Sequence, residues 1–143
     1  MCLITSQQEP LITTEDMTVY KTLNRNLTSL HQYFTYEFTE LYVTKILDSN
    51  PNKWGNYVCA DGTEESYLRT NYPEWKRGDN RLKYLGQGFH SYATKERAET
   101  ASFTSFMDIL VECTVPKGSE YYLSATGLCI SNQIIINKEI KIR

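Results

Sequence analysis

Along most of the chain, apolar positions recur at every second residue rather than every third or fourth, the spacing of strands with one face turned inward. Residues 17–23 are the first clear case. Met17, Val19, Lys21 and Leu23 share one face, Thr18, Tyr20 and Thr22 share the other, and Asn24-Arg25-Asn26 then turns the chain. Residues 32–38 set Tyr33, Thr35 and Glu37 against Phe34, Tyr36 and Phe38, and residues 40–47 form a second such run. Together these two runs predict a hairpin or one long bent strand. Residues 109–115 are the best core strand, ended by the turn Pro116-Lys117-Gly118-Ser119. Residues 120–123 and 127–131 predict a hairpin, and Ile134, Ile136, Ile140 and Ile142 alternate along a final strand over 133–142. Gly88-Phe89-His90-Ser91-Tyr92 adds another short strand.

Helical signals occur at one place only. Thr94 is a good N-cap, and residues 95–105 follow it with Ala98, Ala101 and Ser102 on the inner face. About seven or eight strands and one short helix predict a single α+β domain dominated by antiparallel sheet. Two stretches break the pattern. Residues 1–16 read as a loosely ordered arm ending in Thr13-Thr14-Glu15-Asp16. Residues 48–85 read as a long, loop-rich excursion that holds both tryptophans, with a short strand at Tyr57-Val58-Cys59. An excursion of that length within one domain points to a working surface.

The chain has 143 residues, enough for one domain with its own core. Its 15 Lys and Arg face 17 Asp and Glu, so the net charge of −2 offers no bulk attraction to nucleic acid or anionic lipid. The compositional outlier is 11 Tyr, which favours exposed sheet or a recognition face. The N-terminus turns polar at Ser6-Gln7-Gln8-Glu9 without a basic, apolar leader, and no run is long enough to span a membrane. A cytoplasmic setting follows as the expectation. Cys2, Cys59, Cys113 and Cys129 are then expected as reduced thiols, the last two packed as small hydrophobes.

Candidate chemistry is sparse. His90 follows Gly86-Gln87-Gly88-Phe89, so a glycine-flexed turn delivers an imidazole beside the hydroxyls of Ser91 and Tyr92, a general-base arrangement. The plainer alternative is a histidine satisfied by a backbone carbonyl. His31-Gln32-Tyr33 and His90-Ser91-Tyr92 do not match the paired His-x-Thr or His-x-Ser motifs of two-histidine phosphoesterases. Neither the cysteines nor Asp61-Gly62-Thr63-Glu64-Glu65 have metal-ligand spacing, so no metal and no cofactor is expected. Cys2, exposed if Met1 is removed, is a minor candidate for an N-terminal nucleophile. Trp54, Tyr72, Trp75, Arg77, Arg81 and Tyr84 interleave aromatics with cations and form the candidate binding set, suited to a phosphate-bearing ligand by stacking and charge. A solvated loop is the plainer reading of the same residues. Arg77-Gly78-Asp79 and the sequon Asn26-Leu27-Thr28 carry no meaning without secretion.

An ordered set of short motifs carries a resemblance over most of the chain outside 48–85. Met1-Cys2-Leu3-Ile4, Asp16-Met17-Thr18-Val19-Tyr20-Lys21, Gly88-Phe89-His90-Ser91-Tyr92, Val115-Pro116-Lys117-Gly118-Ser119-Glu120-Tyr121-Tyr122 and Ser131-Asn132-Gln133-Ile134-Ile135-Ile136 occur in that order. The set resembles an uncharacterised family of small proteins from Bacteroidetes genomes, their phages and mobile elements. That resemblance implies a host-interaction or anti-defence role rather than a mechanism. A fainter likeness is to the ADP-ribosyltransferase core. Lys21 stands where that family has arginine, and Ser131-Asn132-Gln133 stands where its Glu-x-Glu or Gln-x-Glu would be, so the likeness implies a core without its catalytic set.

The reading that follows is a non-enzymatic binding protein, working through residues 48–85 and the 88–92 turn on a host protein or a second copy of itself. The alternative is a small enzyme using His90 as base, with Tyr92 or Ser91, on a nucleotide-like or phosphorylated ligand. A homo-oligomer that hides the aromatic surface is a third expectation. The two main readings separate on geometry: an enzyme gathers these groups around one cleft, whereas a binding module presents an apolar face.

Overall fold

Three long strands made almost wholly of alternating β-branched and apolar residues form the middle of the molecule. They are β3 (Met17–Asn24), β7 (Asp108–Val115) and β10 (Gln133–Ile142). The computed structural model describes residues 3–5, 7, 9–29, 35–43, 70–71, 73–74, 83–85, 88–102 and 108–142. Around the central three lie β1 (Leu3–Thr5), β2 (Leu11–Ile12), β4 (Leu41–Val43), β5 (Lys83–Leu85), β6 (Phe89–Tyr92), β8 (Glu120–Leu123) and β9 (Leu128–Ser131). The helix α1 is Lys95–Ser102. Eight strands form one antiparallel sheet in the order β2-β8-β9-β6-β3-β7-β10-β4, and β1 pairs with β5 in a separate ribbon. The molecule is thus α+β and mostly sheet, as the periodicity predicts.

The period-two pattern of β3 sets the register. Its whole length runs against β7, from Met17 opposite Val115 to Asn24 opposite Asp108. Val19 and Leu23 therefore meet Val111, Cys113 and Ile109 on one face, where Ile134, Ile136 and Phe89 close the main core. Cys113 and Cys129 are free and fully buried there, as expected. The opposite face is covered in part by α1, which buries Ala98 against Tyr92 and Leu110. The Thr94 hydroxyl accepts from the Arg97 N–H at 3.2 Å, so the N-cap forms as its sequence position predicts.

Differences from the sequence reading concentrate at the edges of the fold. Of the expected strand over 32–38, residues 32–34 lie outside the described residues, and over 35–38 only Thr35 and Phe38 make isolated bridges, to Thr28 and Ile136. The second run shrinks to β4, with 44–47 outside the described residues. Residues 103–105 of the expected helix and Tyr57-Val58-Cys59 also lie outside them. The 1–16 arm contributes two strands. Thr13 pins its base to the 116–119 turn, with its N–H donating to Ser119 O at 2.9 Å and its hydroxyl to Pro116 O at 2.7 Å. That turn closes through Gly118 at φ 87°, a left-handed conformation that favours glycine.

Candidate functional site

Strand alternation decides how the His90 group is arranged. Along β6, Phe89 and Ser91 fall on one face, His90 and Tyr92 on the other. Ser91 lies opposite Cys129 and is buried, and it lowers the Cys129 thiol slightly against a burial effect that pushes it up to about 12. Tyr92 lies under α1, with the Arg97 guanidinium 6.0 Å from its ring centre. His90 is half-buried. Its Nδ1 sits 3.2 Å from Gly88 O, the arrangement of an Nδ1–H donor, which leaves Nε2 as the basic nitrogen. Nε2 is itself buried rather than presented to solvent. The hydroxyl of Ser91 is therefore not beside the imidazole, because neighbouring residues of a strand point to opposite faces. Of the aromatic and cationic set, Tyr84 lies on β5 opposite Ile4. Trp54, Tyr72, Trp75, Arg77 and Arg81 lie outside the described residues. Among the described residues, no three His, Cys, Asp or Glu side chains come together as metal ligands. No helix among them is long and apolar enough to cross a membrane.

One strongly perturbed cation is a residue that the alternation placed correctly but gave no role. Lys21 follows Val19 and precedes Leu23 on the core face of β3, and only 6% of it is exposed. Its ammonium donates to His90 O at 2.5 Å and lies 5.4 Å from the centre of the Tyr36 ring. Burial pushes the amine down to about 8, opposed by the nearby Cys113 thiol. The same burial pushes Cys113 up to about 12 and raises the Tyr36 hydroxyl well above its ordinary range. Among the described residues Lys21 thus has a carbonyl and an aromatic face for company but no anion at neutral pH. It ties β6 to the segment carrying Tyr36, and that segment leads directly to β4.

Residues 37–43 form the second unusual feature. Tyr36 is buried edge-on between Tyr42, at 5.0 Å between ring centres, and Phe89, at 6.4 Å. From this anchor the chain emerges at Glu37 and reaches Thr39, whose φ of 65° is unusual for a β-branched residue. The Thr39 N–H donates to Ile136 O at 2.7 Å and holds the strained residue in place. In β4, Tyr42 turns inward to the core, while Leu41 and Val43 turn outward and are 49% and 64% exposed. Phe38 is exposed beside them, and so are Glu37 and Glu40. β4 pairs with β10 on one side, and among the described residues its outer edge carries no ladder partner. The alternation of 40–47 announced a strand, but not that it would be the last one in the sheet.

No family model matches the chain, and neither a curated protein nor a solved structure does.

Proposed function

We propose that this is a non-enzymatic binding protein that takes up an extended segment of a partner protein along the outer edge of β4. The observation that carries this reading is a strand edge without a ladder partner among the described residues, together with outward-facing Leu41 and Val43. An added strand gains main-chain hydrogen bonds from such an edge and specificity from the alternate side chains. Natural sheets usually protect an edge with inward charges or proline, and β4 has neither. Glu37 and Glu40 are exposed just before the apolar pair, so the fitting partner strand alternates β-branched residues with Lys or Arg. The strained Thr39 at the entrance to β4 supports the same place, since strain that the surroundings maintain clusters at working sites. A host-interaction role, with the partner a host protein, is part of this proposal.

The test uses a displayed library of extended octapeptides that alternate β-branched and basic residues. Selected peptides should bind the full chain and slow amide exchange across residues 41–43. Leu41→Asp with Val43→Asp should abolish binding without lowering the melting temperature by more than a few degrees. Selected peptides that bind the double variant equally well would overturn the reading.

A further inference from the structure

The opposite edge of the sheet is covered, and the way it is covered is informative. β2 pairs with β8 over two residues only, Leu11 opposite Tyr121 and Ile12 opposite Glu120. The next residue toward the N-terminus is Pro10, opposite Tyr122, where a strand's N–H faces away from β8, so proline is tolerated there. Beyond it, side chains take over the work of a main chain. The Gln7 carboxamide donates from Nε2 to Tyr121 O at 3.1 Å, and its Oε1 accepts from the Leu123 N–H at 3.3 Å. The Thr5 hydroxyl donates to Leu123 O at 2.7 Å. Three main-chain groups of β8 that a neighbouring strand would satisfy are thus held by two side chains.

The cover is anchored at its ends. Thr13 is buried at the 116–119 turn, the Lys117 N–H donates to Asp16 at 2.9 Å, and Thr5 is buried at the far end. Between them the strap is polar or exposed, with Leu11 and Ile12 about half in solvent and Glu9 exposed. Little apolar burial holds Gln7 and residues 9–12 against β8. Leu123, at the end of the covered edge, remains 37% exposed.

We propose that the outer edge of β8 is a strand-acceptor site which Gln7 and residues 9–12 occupy as a replaceable strap, and that its incoming occupant is an extended protein segment able to pair its main chain from Glu120 to Leu123. The strap itself shows what the edge accepts: an antiparallel main chain at Glu120 and Tyr121, then an amide donor and acceptor at Tyr121 and Leu123. A partner strand that stays in register as far as the position opposite Leu123 makes these bonds with its main chain alone. This edge lies at the opposite end of the sheet from β4 and does not depend on the reading given to β4. Release of the strap also reaches further, because β1 at its far end pairs with β5, which precedes the Gly88 turn into β6.

The experiment uses the full chain and a dye-labelled peptide with the sequence of residues 3–12 in which Pro10 is replaced by valine. Gln7→Ala with Ile12→Ser loosens the strap and should raise peptide affinity at least tenfold over the parent, read by fluorescence anisotropy. Leu11→Cys with Tyr121→Cys joins a directly opposed pair across the strap and, when oxidised, should abolish binding. Reduction of that staple should restore it, which separates a blocked site from a misfolded chain. A peptide that fails to bind the loosened variant would mean that the strap is only a protective cover. Equal binding to the oxidised staple would place the peptide elsewhere, and either result overturns the proposal.

Discussion

Replacing Lys21 by methionine asks what a cation costs in the middle of this core. Methionine keeps the unbranched stem and removes the ammonium. The amine stands at about 8 in the folded protein against 10.5 when exposed, with burial the larger cause. At 1.36 kcal/mol per pH unit, the protonated lysine costs the fold about 3 kcal/mol at pH 7. The substitution also removes the bond to His90 O and the contact with the Tyr36 ring, which offset about 1–2 kcal/mol of that gain. Lys21→Met should therefore be more stable by about 1–2 kcal/mol at pH 7, a rise in melting temperature of roughly 3–8 °C for a chain of this size. The sign with pH follows from the lowered value. Below pH 8 both states are protonated and the cost is fully present. As pH rises from about 8 toward 10.5 the native amine loses its proton before the unfolded one, so the parent gains stability and the gap to the variant closes. Cys113 and Cys129, pushed up to about 12, act in the opposite sense once unfolded thiols ionise near pH 9. Those groups are shared by parent and variant, so the difference between the two isolates Lys21. Urea titrations at pH 7, 8, 9 and 10 measure it. A methionine variant less stable than the parent at pH 7, or a gap that does not change with pH, would refute the reasoning.

Two further outcomes rest on local geometry. Thr39→Gly should raise the stability by about 1 kcal/mol, because glycine occupies a φ of 65° without the clash a β-branched residue suffers, and thermal unfolding measures the change. The thiols of Cys113 and Cys129, buried and pushed up to about 12, should stay silent to a thiol-specific chromogenic reagent at pH 8 until urea is added, so that denaturation reveals at least two of the four thiols.

The interior of the sheet was legible in the sequence because its strands carry their own period. β3, β7 and β8–β10 begin and end within a residue of where alternation and the 116–119 turn place them. Alternation reports which face a residue takes, which is why Lys21 was set beside Val19 and Leu23. It does not report how deeply a face is buried, since that depends on Tyr36 arriving from a different part of the chain. Residues 35–38 depart from their period for a related reason. Their aromatic residues look like a strand face, yet Tyr36 serves as a plug over the core rather than as a rung of a ladder. Sequence adjacency likewise sets Ser91 beside His90, whereas the strand turns its side chain to the other face.

The two edges show what period alone leaves out. A strand's place in a sheet is set by contacts between residues far apart, and β4 becomes an edge only because β10, some ninety residues later, pairs with it on one side and with β7 on the other. At the other end, Ser6-Gln7-Gln8-Glu9-Pro10 reads as a loose tail because it is polar and holds a proline. Those same properties explain its position on β8. The ladder ends after two residues, and the carboxamide of Gln7, which carries the donor and acceptor of a peptide group, resumes it from a side chain. Polarity that would keep a tail in solvent therefore holds this one against a strand edge without burying apolar surface. That is the balance a replaceable strap needs: it satisfies the edge completely enough to protect it and weakly enough to yield to a strand that pairs along its whole length.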